Sequence, residues 1–256
     1  MIEVIEMNYF IALSAKKIKR TLFIVTLAFF TAWFLFIQFS TDSPVFSTKD
    51  GPKAVYRGEQ NVALTFNIGW GDEKAETILN ELKENNVKDA TFFISGSWAE
   101  RHPHLVEKMQ EQKYEIGLLG YNYVDYAHAE NSEITKDIIK GQEAFRKLGL
   151  KDVKYLRSPT GHFDKRLLDI SERYGYTIVH WSVDSKDWTN PGVNKIINNI
   201  KQVKDGDILL FHASDSAQQT AAAIPDILQI ISDRNLKMVT VSEMLSNSSV
   251  KTEEIE

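Results

Sequence analysis

Cysteine is absent from all 256 residues, which excludes a disulfide framework, a thiolate metal site and a cysteine nucleophile. A surplus of positive charge is absent as well. The 30 lysines and arginines stand against 35 aspartates and glutamates, for a formal charge of −5, so the chain offers no basic stripe to neutralise phosphates and is not read as a nucleic-acid binder. Charge of either sign is missing from residues 21–39, a run of Leu, Phe, Ile, Val and Ala with only Thr21, Thr26, Thr31 and Gln38 as polar members. As a helix that run is about 28 Å long, close to the roughly 30 Å of a bilayer's hydrocarbon core. Lys16, Lys17, Lys19 and Arg20 precede it, which keeps the tail 1–20 in the cytoplasm and sends residue 40 onward outside. No A-x-A-like cleavage site follows. The expectation is a single-pass anchor in the cell membrane, with a cleaved signal peptide as the alternative; both place the rest of the chain outside the cytoplasm.

What remains has ordinary globular composition, 43% apolar and 25% charged, enough for one large domain. Residues 40–57 read as a linker from their prolines, glycine and small polar residues. The domain is expected over 58–246, with a frayed polar tail at 247–256. Strand patterns at 62–67, 90–95, 115–119, 155–158, 177–183, 207–212 and 238–241 alternate with helical ones at 73–85, 98–112, 132–147, 165–174, 193–204 and 217–234. Stretches such as "ATFFI" and "DILLF" are apolar on both faces, as parallel strands covered on two sides are. Seven βα units without a break predict an α/β barrel, with its chemistry at the C-terminal ends of the strands.

At those ends lie the polar candidates. In "YLRSPTGHFD" the proline and glycine shape a turn that aims Arg157 into the barrel mouth, to hold a carboxylate or polar substrate or to make a structural salt bridge. "HWSVDSKDW" supplies Asp184, Asp187 and Trp188, an aromatic face beside acids that suits a sugar ring and its hydroxyls, or else a tryptophan packing a loop. "GDILLFHASD" delivers His212 from the end of a strongly apolar strand, a general acid by type and place or a satisfied core histidine.

Together with "LTFNIG" and "EIGLLGYNY", these stretches resemble, in order and spacing, the motifs of the NodB-homology polysaccharide deacetylases. These are carbohydrate esterases that remove N-acetyl or O-acetyl groups from chitin or peptidoglycan on a distorted (β/α)7 barrel. "RSPTG" is similar to R-x-P-x-G, "DSKDW" to D-x-x-D-W, "LLFH" to L-x-H, and the other two to T-F-D-D-G and E-I-G-N-H-[ST]-x-x-H. The anchor and the words "TFNIGWGDE" and "GLLGYNY" most resemble the PdaB-type branch of sporulation. The resemblance implies that Arg157 orients the base, Asp184 tunes His212 and His212 protonates the leaving amine, with Trp188, Tyr123 and Asp187 toward substrate. It also implies a general base at position 67 and metal ligands at 68, 119 and 123, where this chain has Asn67, Ile68, Leu119 and Tyr123. Isoleucine and leucine have no lone pair and a neutral tyrosine is a poor zinc ligand, so the standard zinc site is expected to be missing. A substitute set of Asp72, Asp125 and His128 is weighed against simpler roles, Asp72 as a cap of the helix it precedes. Three readings stay open: a hydrolase of peptidoglycan amino sugars with a non-standard base, a monomeric glycan-binding or scaffolding protein, and a partner of other envelope proteins.

Overall fold

The computed structural model describes residues 54–246 continuously, with 16, 19, 24–27, 29–31, 47–48, 51–52 and 251–253 besides. The chain divides into two compact units, 1–45 and 46–256. In the first, residues 24–27 and 29–31 are helical, with Ile24, Val25, Leu27, Phe29 and Phe30 exposed. No helix among the described residues is long and apolar enough to cross a membrane. The remainder of the expected anchor lies outside the described residues.

The second unit is built on parallel strands: β1 (Val62–Ile68), β2 (Thr91–Ile94), β3 (Glu115–Leu118), β4 (Tyr155–Leu156), β5 (Thr177–Ile178), β6 (Val183–Asp184), β7 (Ile208–His212) and β8 (Met238–Val239). They form one sheet in the order β5-β4-β3-β2-β1-β7-β6, with β8 paired to the start of β1. The sequence "VALTFNI" is buried at all seven positions, as a central strand with both faces covered must be. Its two faces divide by residue parity. Val62, Leu64, Phe66 and Ile68 join the larger apolar cluster with the helices, where Phe66 stacks on Phe92 at 5.0 Å. Ala63 belongs to a second cluster with Phe93, Leu119 and Val179, so Thr65 and Asn67 share this inner face. Burying each such phenylalanine contributes about 2–3 kcal/mol.

Three sequence expectations are corrected. The expected strand 177–183 is two short strands on opposite edges of the sheet, because the chain turns between them and the His180 N–H donates to Val55 O at 2.7 Å. The described sheet therefore has eight strands, a parallel-strand half-barrel where the sequence predicts a distorted seven-stranded barrel. The expected helix 98–112 breaks into Gly96–Arg101 and Pro103–Glu111, since Pro103 has no N–H for a continuous ladder. The expected linker ends early: Ala54–Arg57 is a strand whose Ala54 and Val55 are fully buried, and Lys251–Glu253 of the supposed frayed tail pairs antiparallel with it. The remainder of segments 40–53 and 247–256 lies outside the described residues.

Candidate active site

The parallel register puts Asn67 of β1 directly beside His212 of β7. Neighbouring strands lie about 4.8 Å apart and paired residues point to one face, so the amide and the imidazole flank each other. Both open onto a cavity of about 470 Å³ at the strand ends, lined also by Trp70, Tyr123, Trp181, Asp184 and Trp188. Trp70 and Trp188 are half exposed at its rim, and Tyr123 is 39% exposed.

Behind Asn67 lies Arg157, just past β4. It is not open to the barrel mouth as its turn predicts: it is fully buried, its guanidinium 4.0 Å from the Phe93 ring centroid and 5.6 Å from that of Trp181. Nη1 donates to Thr65 Oγ1 and Asn67 Oδ1 at 2.9 Å each, Nε to Val179 O at 3.1 Å and Nη2 to His180 O at 2.9 Å. No described carboxylate forms an ion pair with it. Burial pulls its pKa down to about 9, which leaves it charged at neutral pH. His180 stacks on Trp181 at 3.7 Å; burial first, then the Arg157 charge, lowers its pKa to about 3, so this ring is neutral.

His212 is oriented by Asp187. The resemblance assigns that task to Asp184, and the geometry corrects it. Asp187 Oδ1 lies 2.8 Å from His212 Nδ1, and Oδ2 accepts the His212 backbone N–H at 2.7 Å and the Thr220 hydroxyl at 2.7 Å. Asp187 has no exposed surface and so is not the substrate contact expected of it. Asp184, one turn earlier, accepts the Lys186 N–H at 2.8 Å and lines the cavity. Their places differ because Lys186 and Asn190, both left-handed, bracket the 3₁₀ turn Asp187–Thr189 and rotate Asp187 inward.

The positions of the expected metal ligands do not fit a metal. Ile68 is fully buried in the helix-facing cluster, and Leu119 is fully buried against Phe93 and Val179. Neither carries a donor atom. Tyr123 takes a left-handed φ of 57° and lays its ring on Gly69, where an added Cβ would stand 2.4 Å from Tyr123 Cδ2. Burial raises its phenol pKa, so its oxygen stays protonated. The substitute set is not brought together either: Asp72 Oδ1 pairs with His102 Nε2 at 2.8 Å, while Asp125 Oδ2 pairs with His128 Nδ1 at 3.0 Å and stands 3.6 Å from His162 Nδ1. Among the described residues no group of three or more such side chains is placed to hold a metal ion.

Asp72 does not cap the following helix. Asp215 does, from the loop after β7: its carboxylate accepts the N–H groups of Asp72, Glu73 and Lys74 at 3.0 Å each. Burial pushes the Asp215 pKa up, but these three donors outweigh it and hold the carboxyl below its usual value. Asp215→Ala is therefore expected to lower stability by about 1 kcal/mol in urea denaturation. Because the folded-state pKa is depressed, that difference is present above the ordinary aspartate value near 3.8 and fades as pH falls through the lower folded value. A variant as stable as the parent at pH 7 would contradict the assignment. The sequence places Asp215 among the polar groups at a strand end without giving it a role, and Trp70 goes unmarked. For Trp70 the signal was there, an exposed type of aromatic one residue past the glycine of the first motif.

The family model described as polysaccharide deacetylase matches residues 54–179. A peptidoglycan-N-acetylglucosamine deacetylase of Bacillus cereus is 32% identical over 195 residues, covering 75% of this chain and 91% of that protein. Among solved structures, a peptidoglycan N-acetylglucosamine deacetylase in complex with a naphthalenyl benzamide superposes with TM-score 0.72 at 28% identity, over 82% of this chain and 100% of that one. A CE4 family pseudoenzyme from Bacillus anthracis superposes with TM-score 0.70 at 25% identity, over 76% of this chain and 69% of that one.

Proposed function

From the premise that this chain belongs to the polysaccharide deacetylase family, we infer that its cavity binds acetylated amino-sugar polymers, peptidoglycan above all, without the metal-dependent deacetylation of that family. One observation carries this reading. The glycan-sized cavity at the strand ends keeps its aromatic rim, Trp70, Tyr123 and Trp188, while an amide and two buried aliphatic side chains stand where a base and two ligands would be. The substrate named for the Bacillus cereus relative supports peptidoglycan as the polymer. The description of the Bacillus anthracis structure as a pseudoenzyme supports the loss of ordinary turnover. The apolar run 21–39 supports a membrane anchor that places the domain outside the cytoplasm. The resemblance of the first two motifs to the PdaB-type branch supports a place in the spore envelope.

A tryptophan presents a large rigid apolar face, which can stack on the C–H groups of a pyranose ring, so Trp188→Ala and Trp70→Ala are each expected to weaken binding about tenfold, close to 1.4 kcal/mol. Calorimetric titration of the full chain with N-acetylglucosamine oligomers and with peptidoglycan fragments measures this. Absence of saturable binding to either would sink the reading.

A further inference from the structure

We propose that the Asn67–His212–Asp187 arrangement is a metal-independent esterase site, in which His212 is the general base and Asn67 the oxyanion donor for hydrolysis of O-acetyl esters on a bound glycan. This inference rests on glycan binding at the same cavity. It reverses the roles that the resemblance implies for both positions.

The geometry begins with the tautomer. The Asp187 carboxylate, with no exposed surface, accepts four hydrogen bonds: two from His212, one from the Thr220 hydroxyl and one from the Trp188 N–H at 2.8 Å. An acceptor at Nδ1 places the imidazole proton there, so Nε2 presents its lone pair to the cavity that His212 lines. That is a base, oriented by a carboxylate that also stabilises the imidazolium formed when the base takes up a proton. Asn67 is fixed in a complementary sense. Its Oδ1 accepts from Arg157 Nη1 at 2.9 Å, which turns Nδ2–H toward the cavity, and the buried cation behind polarises the amide. An aspartate here would place a negative charge beside the developing oxyanion; asparagine supplies a preorganised donor instead. The register of β1 and β7 sets this donor and the base side by side.

In the reaction, a water oxygen bonds to the acetyl carbonyl carbon while His212 Nε2 takes a water proton. The carbonyl π pair moves onto oxygen, where Asn67 Nδ2–H donates to it. The pair returns, the bond from carbon to the sugar oxygen breaks, and that oxygen takes the proton from Nε2. Acetic acid and the free sugar hydroxyl result, with no change of oxidation state. Esters suit this site because their carbonyl carbon is more electrophilic than that of an amide and their leaving oxygen needs less proton donation.

The test uses the full chain in detergent with EDTA and 6-O-acetylated N-acetylglucosamine oligomers, with acetate release read against pH, and with binding of the same oligomers measured in parallel. The expected rate is insensitive to EDTA and rises with pH through one ionisation to a plateau. His212→Gln and Asn67→Ala are each expected to reduce it about 10²-fold, with far-ultraviolet dichroism retained. Asn67→Asp is expected to reduce it too, whereas a site waiting for its lost base would gain activity from that change. Binding without acetate release, loss of the rate in EDTA, a faster Asn67→Asp variant or an undiminished His212→Gln variant would each overturn the esterase and leave glycan binding standing. Neither binding nor release would remove both.

Discussion

Replacing Asp187 by alanine is expected to destabilise the protein by about 4 kcal/mol. The carboxylate has no exposed surface, and each of its oxygens accepts two hydrogen bonds, from donors on β7, on its own turn and on the helix Thr220–Asp233. Alanine removes all four acceptor sites at once. A buried donor left without a partner costs about 1–3 kcal/mol, and partial relaxation around four of them leaves the sum within the usual range for breaking a buried polar network. For a domain of this size the melting temperature should fall by roughly 10 °C. Asp187→Asn should recover little of it, because the new NH₂ group faces donors. A fall below about 2 °C in differential scanning calorimetry would show that the network does not hold the loop.

Asn67→Asp is expected to act in the opposite direction, stabilising the fold by about 2 kcal/mol at neutral pH. Arg157 is buried with its charge and has only neutral acceptors: two backbone carbonyls, a hydroxyl and an amide. A carboxylate 2.9 Å away converts the amide contact to a charge-assisted pair. An adjacent arginine typically lowers an aspartate pKa by about 1–3 units, each worth about 1.4 kcal/mol, from which the cost of burying the new charge is subtracted. The sign follows from the depressed value: the gain is present above the ordinary aspartate pKa near 3.9 and is lost as pH falls through the lower folded-state value. Urea titrations of parent and variant at pH 7 and pH 3 check both parts. A variant less stable than the parent at pH 7, or an advantage unchanged at pH 3, would contradict the account of Arg157 as a buried cation lacking its counter-charge.

Much of this was legible from local pattern. "ATFFI" and "DILLF" read as strands covered on both faces, as they are, and the replacement of donors by Ile68 and Leu119 needed no coordinates. The assignments that failed depended on partners far away in the chain. Asp72 stood in the right place for a local cap, yet Asp215, more than 140 residues on, takes those N–H groups because the loop after β7 passes over the end of β1. Asp184 and Asp187 are chemically alike and three residues apart. Only the left-handed Lys186 and Asn190 decide which of them turns inward. Arg157 looked like a surface hook because its neighbours are turn-formers, whereas its fate is set by Phe93 and Trp181, brought over it by β2 and by the bend after β5.

That bend has a consequence for how the protein behaves in a crowd. A sheet with two free edges invites strand addition from another molecule, the first step of aggregation. Here the residues between β5 and β6 run from one edge to the other, and the β5 edge is met within the chain: Val55 of the strand Ala54–Arg57 bridges Val179 in parallel, and its carbonyl accepts the His180 N–H. Arg157 fastens this crossing from beneath through Val179 O and His180 O. The cation that fixes the amide in the cavity thus also holds the segment at which the chain meets its own β5 edge.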